Sequence, residues 1–95
     1  VEVTLEGSTL NWLGTAVPNP AKDEAKFEFS LKDAAYVEVL LYDINGNLVN
    51  TLFEGNASAG VNQVKINCNN LSSGLYNYVL KVDGNIFNQQ INVVK

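Results

Sequence analysis

The groups with which this chain could do chemistry are ten carboxylates, six lysines and one thiol, Cys68; histidine is absent. Without an imidazole no Ser-His-Asp or Cys-His nucleophile can be assembled, nor a histidine metal site. One cysteine cannot build a zinc site. The alternation of Cys68 with Val64 and Ile66 reads as a small buried side chain, not a reactive thiol. The carboxylates fall singly in turns and on outward strand positions, so the paired acids of a glycoside hydrolase are not indicated. The nearest approach to a metal motif is Asp43, Asn45, Asn47 and Glu54, at positions 1, 3, 5 and 12 of an EF-hand count. Position 6 of that count is Leu48, where the sharp turn needs glycine, and the flanks alternate as strands. Asp43-Ile44-Asn45-Gly46-Asn47 is therefore expected to be a hairpin turn. The residues predict no catalysis, no cofactor and no metal.

Composition narrows the field further. The net charge is -4, no arginine is present, and the six lysines are scattered from Lys22 to Lys95. Such a surface does not suit nucleic acid or anionic lipid. The longest apolar run, Ala34 to Tyr42, is interrupted by Glu38 and falls short of the ~18 residues that a spanning helix requires. With 95 residues the chain has room for one domain. It begins at Val1 without methionine or a signal-peptide pattern, which predicts a piece of a longer polypeptide.

The elements that must position these groups follow a period of two. Val1, Val3 and Leu5 alternate with Glu2, Thr4 and Glu6, a short strand or an ordered linker; Trp12 is the one large apolar anchor of a leading arm, residues 1–17. Pro18-Asn19-Pro20 excludes helix on both sides. Phe27, Phe29 and Leu31 are expected to face inward, with Lys26, Glu28 and Ser30 outward. In Tyr36 to Tyr42, Val37, Val39 and Leu41 share one face and Leu40 joins the two tyrosines on the other, the pattern of a central strand. Leu48 to Glu54 returns as a strand, Gly55 to Gly60 reads as a loop, and Val61 to Cys68 is the next strand. Tyr76, Tyr78, Leu80 and Val82 then share a face, Asp83-Gly84-Asn85 turns the chain, and Phe87, Ile91 and Val93 share a face of the final strand. That strand is a candidate for an open sheet edge, rich in Asn88, Gln89, Gln90 and Asn92 and unprotected by charge until Lys95, although a solvated outer face alternating with a buried one accounts for the same pattern and is the preferred reading. Turn signals at roughly 8–12-residue spacing and the absence of any helical period give an all-β, immunoglobulin-like antiparallel sandwich of about seven strands. Tyr76, at the entry of its strand, is expected to be a tyrosine corner, ring buried and hydroxyl bonded to nearby backbone.

Several stretches, in order, resemble the type A C-terminal sorting domain of the type IX secretion system of Bacteroidota. They are Pro18-Asn19-Pro20, Phe27-x-Phe29-x-Leu31, Leu41-Tyr42-Asp43-x-x-Gly46 followed by Val49, Gly60-x-Asn62, Leu71-x-x-Gly74-x-Tyr76, and the closing Ile91-Asn92-Val93-Val94-Lys95. The resemblance covers about Val17 to Lys95 and implies a sorting domain over residues 18–95 behind an upstream cargo. It departs from the family pattern where Gln89 and Gln90 stand in place of a basic residue. It implies a non-catalytic address label that directs its cargo across the outer membrane to the exterior or cell surface. The implied partners are a β-barrel shuttle protein, the translocon and, in many members, a sortase-like peptidase that removes the domain near its start. Neither nucleic acid nor a small-molecule substrate is implied. Carried over by position, Pro18, Asn19 and Pro20 would set the chain's entry, Gly74 and Tyr76 the corner, and Val93, Val94 and Lys95 the recognition strand. The exposed end, Val93 to Lys95, would be the part a partner reaches without unfolding anything. An immunoglobulin-like structural or adhesive module of a larger surface protein is the alternative reading. A carbohydrate-binding surface would need exposed aromatics on one face, and with only Trp12 and Tyr36 or Tyr42 available that reading ranks last.

Overall fold

Alternating apolar residues that need a second layer are the organising feature, and the chain supplies that layer by crossing between two antiparallel sheets. A computed structural model describes residues 11–95; the Val1–Glu6 alternation lies outside the described residues. Seven strands follow in chain order: β1 (Trp12–Leu13), β2 (Glu24–Leu31), β3 (Ala35–Asp43), β4 (Leu48–Ala57), β5 (Gly60–Asn67), β6 (Gly74–Val82) and β7 (Asn85–Val93). One sheet has the order β1-β2-β5 and the other β4-β3-β6-β7. The result is an immunoglobulin-like β-sandwich. The four-stranded sheet is two hairpins joined along β3 and β6, which places β3 centrally and β7 at an edge, as its two-sided and its polar patterns respectively allow.

Both hairpin turns obey the chemistry of their residues. Asp43 Oδ1 accepts hydrogen bonds from the backbone N–H groups of Asn45 and Asn47, 2.9 Å each, and closes the β3–β4 turn. Glu54 lies a strand away, where its carboxylate accepts a 2.9 Å bond from the Tyr36 hydroxyl. Between β6 and β7, Asp83 and Gly84 both have positive φ, 51° and 80°. That is the pair of conformations a two-residue primed turn demands.

The core is the sum of the inward faces: Phe27, Phe29 and Leu31, then Val37, Val39 and Leu41, then Ile66, Tyr78, Leu80 and Ile91, all nearly inaccessible to solvent. Phe27 of one sheet stacks on Tyr78 of the other with ring centroids 4.2 Å apart, so an aromatic pair bridges the layers. Cys68 is fully buried as its alternation predicts, and burial pushes its thiol up, against a smaller opposing pull from the Lys95 ammonium.

Two expectations need correction. Ser30 is buried, not outward to solvent. It pairs across the sheet with Trp12 of β1 and Val61 of β5, whose larger side chains flank it on the same face. The expected loop from Gly55 to Gly60 is mostly strand. Gly55, Asn56 and Ala57 pair with Val37, Tyr36 and Ala35, and only Ser58 and Ala59 remain to cross between sheets. Two register shifts in the β3–β4 pairing, at Val39/Leu40 and Leu41/Tyr42, absorb Leu52 and Val49 as extra residues and lengthen β4.

Candidate functional site

The three sequence stretches singled out as site or corner converge on one end of the sandwich. The arm after β1 runs first along β2, where Val17 and Lys26 exchange backbone bonds of 2.8 and 2.9 Å. It then passes over to the other sheet through Pro18-Asn19-Pro20, whose two X–Pro bonds are cis. There it straps the end of β7. Ala21 N–H donates to Asn92 O and Val94 N–H donates to Ala21 O, both at 2.8 Å, in a parallel bridge. The Asn19 side-chain oxygen takes the Asn92 N–H at 3.0 Å, a contact between residues 73 apart in sequence.

The corner lies against the same segment. Tyr76 is buried, and its hydroxyl donates to Ser72 O at 2.7 Å, closing a four-residue loop as expected of a tyrosine corner. Gly74 holds φ 150°, a backbone region that favours glycine, and is the cross-strand partner of Val93. One residue earlier, Ser73 Oγ accepts the Lys95 N–H at 3.0 Å. The Lys95 ammonium reaches the other way and donates to the carbonyls of Lys22, at 3.2 Å, and Cys68. Charge-assisted bonds to two carbonyls tie the end of the chain to both the strap and the β5–β6 turn.

The expectation of a freely reachable terminal strand is therefore corrected at Val93. Its side chain is 1% exposed, inside the core, because it continues the inward alternation of Ile91. Its neighbours' outward backbone groups are already occupied by Asn19 and Ala21. Val94, 48% exposed, and Lys95 are the residues of that stretch whose side chains meet solvent. By the period of two, Val94 shares the outer face with Asn92 and with Leu75, the cross-strand partner of Asn92, itself 43% exposed. An apolar pair thus stands on the outer face of this end, while the Lys95 ammonium turns the other way, to the carbonyls of Lys22 and Cys68. Sequence reasoning missed Ala21, Lys22 and Ser73 as parts of the arrangement. Their contributions are backbone groups and a small hydroxyl, which leave no mark in a pattern of side-chain types.

Among the described residues no group of three or more histidine, cysteine, aspartate or glutamate side chains gathers. What the end offers is shape: a strand tip, a strap across it and an exposed aliphatic face formed by Leu75 and Val94.

A family model described as a secretion system C-terminal sorting domain matches residues 15–94. No curated protein gives a significant match. Among solved structures, the crystal structure of dimeric latent PorU from Porphyromonas gingivalis is similar, with a TM-score of 0.65 and 22% sequence identity. The match covers 86% of this chain and 9% of the PorU chain, and at that identity the likeness is one of fold.

Proposed function

The chain belongs to the type IX secretion system C-terminal sorting domain family, and from that membership we propose that it acts as a folded tag read at its strapped end. The family is a sorting signal, and its cargo is exported to the exterior or cell surface of Gram-negative Bacteroidota. On our reading the reader is a β-barrel shuttle protein of the outer membrane, which engages Val94 and Lys95 and passes the cargo to or from the translocon. A sortase-like peptidase then removes the domain upstream, near the arm of residues 1–17, leaving residues 18–95 as the discarded label. Pro18, Asn19, Pro20, Gly74 and Tyr76 shape the end that is read; Val93 anchors it from within.

The observation that carries this proposal is the convergence of the three motif stretches on one end of the sandwich, around Asn92–Lys95. The geometry also sets a condition on the reader. It either recognises Val94, Lys95 and Leu75 on the assembled surface, or it replaces the bonds that Asn19 and Ala21 make to Asn92 and Val94.

The test fuses all 95 residues behind a periplasmic reporter in a host with this system. Val94→Asp and Lys95→Ala alter exposed side chains and are expected to leave the fold intact by circular dichroism. Each should lower the surface-exposed fraction of the reporter at least severalfold. Unchanged export by the folded double variant would remove these residues from the recognised surface.

A further inference from the structure

The arm has a second consequence, on the flank of the three-stranded sheet. Gly14 N–H donates to Glu28 O at 2.7 Å, and Val17 bonds Lys26. A three-residue advance on the arm thus answers a two-residue advance on β2, a bulge that lifts the arm off the sheet. Beneath it lies a trough of 530 Å³, lined by Trp12, Gly14, Thr15, Lys26, Glu28 and Gln63 among others. That volume falls within the ~300–1,000 Å³ of small-ligand clefts.

Its wall is a half-buried tryptophan held in place by a glycine. A Cβ at Gly14 would stand 3.3 Å from the Trp12 indole and 2.9 Å from the Glu28 carbonyl oxygen. Glycine here lets the indole settle against the backbone, which leaves an aromatic plate at the trough's side. Lys26, Glu28 and Gln63 of β2 and β5 line the same trough, with Glu28 and Gln63 as direct cross-strand partners. All three are exposed, and among the described residues none of their side chains has a hydrogen-bond partner.

An aromatic side chain lining one trough with an ammonium, a carboxylate and an amide is a defined chemical request. The one positive and one negative charge cancel within the lining, which favours a neutral ligand over an anion. The carboxylate and the amide oxygen accept hydroxyl protons, while the ammonium and the amide N–H₂ donate to hydroxyl oxygens. A flat C–H surface completes the match by packing on the indole. We propose that this trough binds a neutral hexopyranose unit of an oligosaccharide, its C–H face on Trp12 and its hydroxyls on Lys26, Glu28 and Gln63. The site is separate from the strapped end and does not rest on the sorting function.

Trp12 is the chain's only tryptophan, so its emission reports on the site directly. The full chain is titrated with maltohexaose, cellohexaose and N-acetylchitohexaose while that emission is followed. The expected result is a saturable change with at least one of the three. The same sugar should bind at least tenfold more weakly to the Glu28→Ala/Gln63→Ala double variant, in which both altered side chains are solvent-exposed. Its emission and urea midpoint without sugar should match the parent, showing that the fold is retained. No saturable response to any of the three sugars would overturn the proposal. So would equal binding by the double variant, which would leave mere contact with the half-buried indole.

Discussion

Tyr76 and Tyr78 sit two residues apart on one buried face, yet their hydroxyls do different work. The Tyr76 hydroxyl closes the corner on Ser72 O, so Tyr76→Phe should cost about 1–2 kcal/mol by stranding that carbonyl. Tyr76→Ala should cost about 3–5 kcal/mol as a core truncation; urea denaturation measures both. A near-neutral Tyr76→Ala would contradict the corner. The Tyr78 hydroxyl reaches across the sandwich to Gly14 O at 2.7 Å, and burial pushes it up to about 12, against a smaller opposing pull from the Ala16 backbone. Folded Tyr78 therefore holds its proton to higher pH than the unfolded chain does. The stability tied to it is complete below about pH 10 and drains away between about pH 10 and 12. The alkaline limb of a pH–stability profile should be shallower in Tyr78→Phe than in the parent, and equal slopes would contradict the assignment. Both tyrosines were legible from the period of two and the Gly-x-Tyr entry. Ser30 was not, because its burial depends on β1, a partner far away in sequence, whereas the burial of Val93 follows the alternation it shares with Ile91.

At the scale of elements, turns were easier to read than edges. Asp83-Gly84 and the Asn45-Gly46 turn carry local chemistry that only a few backbone conformations accept. Gly84→Ala should accordingly destabilise by about 1–2 kcal/mol, since a Cβ is disfavoured at its φ of 80°; an unchanged urea midpoint would be the contrary result. The extension of β4 and its two extra residues were illegible, because bulges answer to the partner strand's register. The strap was half legible. Pro18-Asn19-Pro20 announces an extended segment, but nothing in it names β7 as the destination. Asn19→Ala removes the acceptor for the Asn92 N–H, and Lys95→Ala removes the ammonium from two carbonyls. Together they should speed amide exchange at Asn92 and Val94 by about tenfold or more, while Leu80 in the core keeps its rate. Exchange at Asn92 and Val94 that stays locked to that of Leu80 would show that the chain end opens only with the whole domain.

The whole molecule is a sandwich whose leading arm and final strand close on each other, so the entry strap and the tip of β7 are mechanically joined. The all-β class and the strand count followed from periodicity and turn spacing, which left the edge position of β7 as one of two readings, and the resemblance drawn from ordered motifs is the family to which the chain belongs. What periodicity could not give was the meeting of Pro18–Pro20, Gly74–Tyr76 and Asn92–Lys95 at one end, which needs the sheets assembled. The trough beside Trp12 was equally hidden, since it exists only where the arm lifts away from β2. The most direct measurement is the surface-exposed fraction of a periplasmic reporter carrying these 95 residues at its C-terminus, in a host with an active type IX system and in the same host with the system inactivated. The account predicts surface reporter only when both the domain and the active system are present. Equal surface exposure in the two hosts, or none in either while the fused domain is folded, would contradict it.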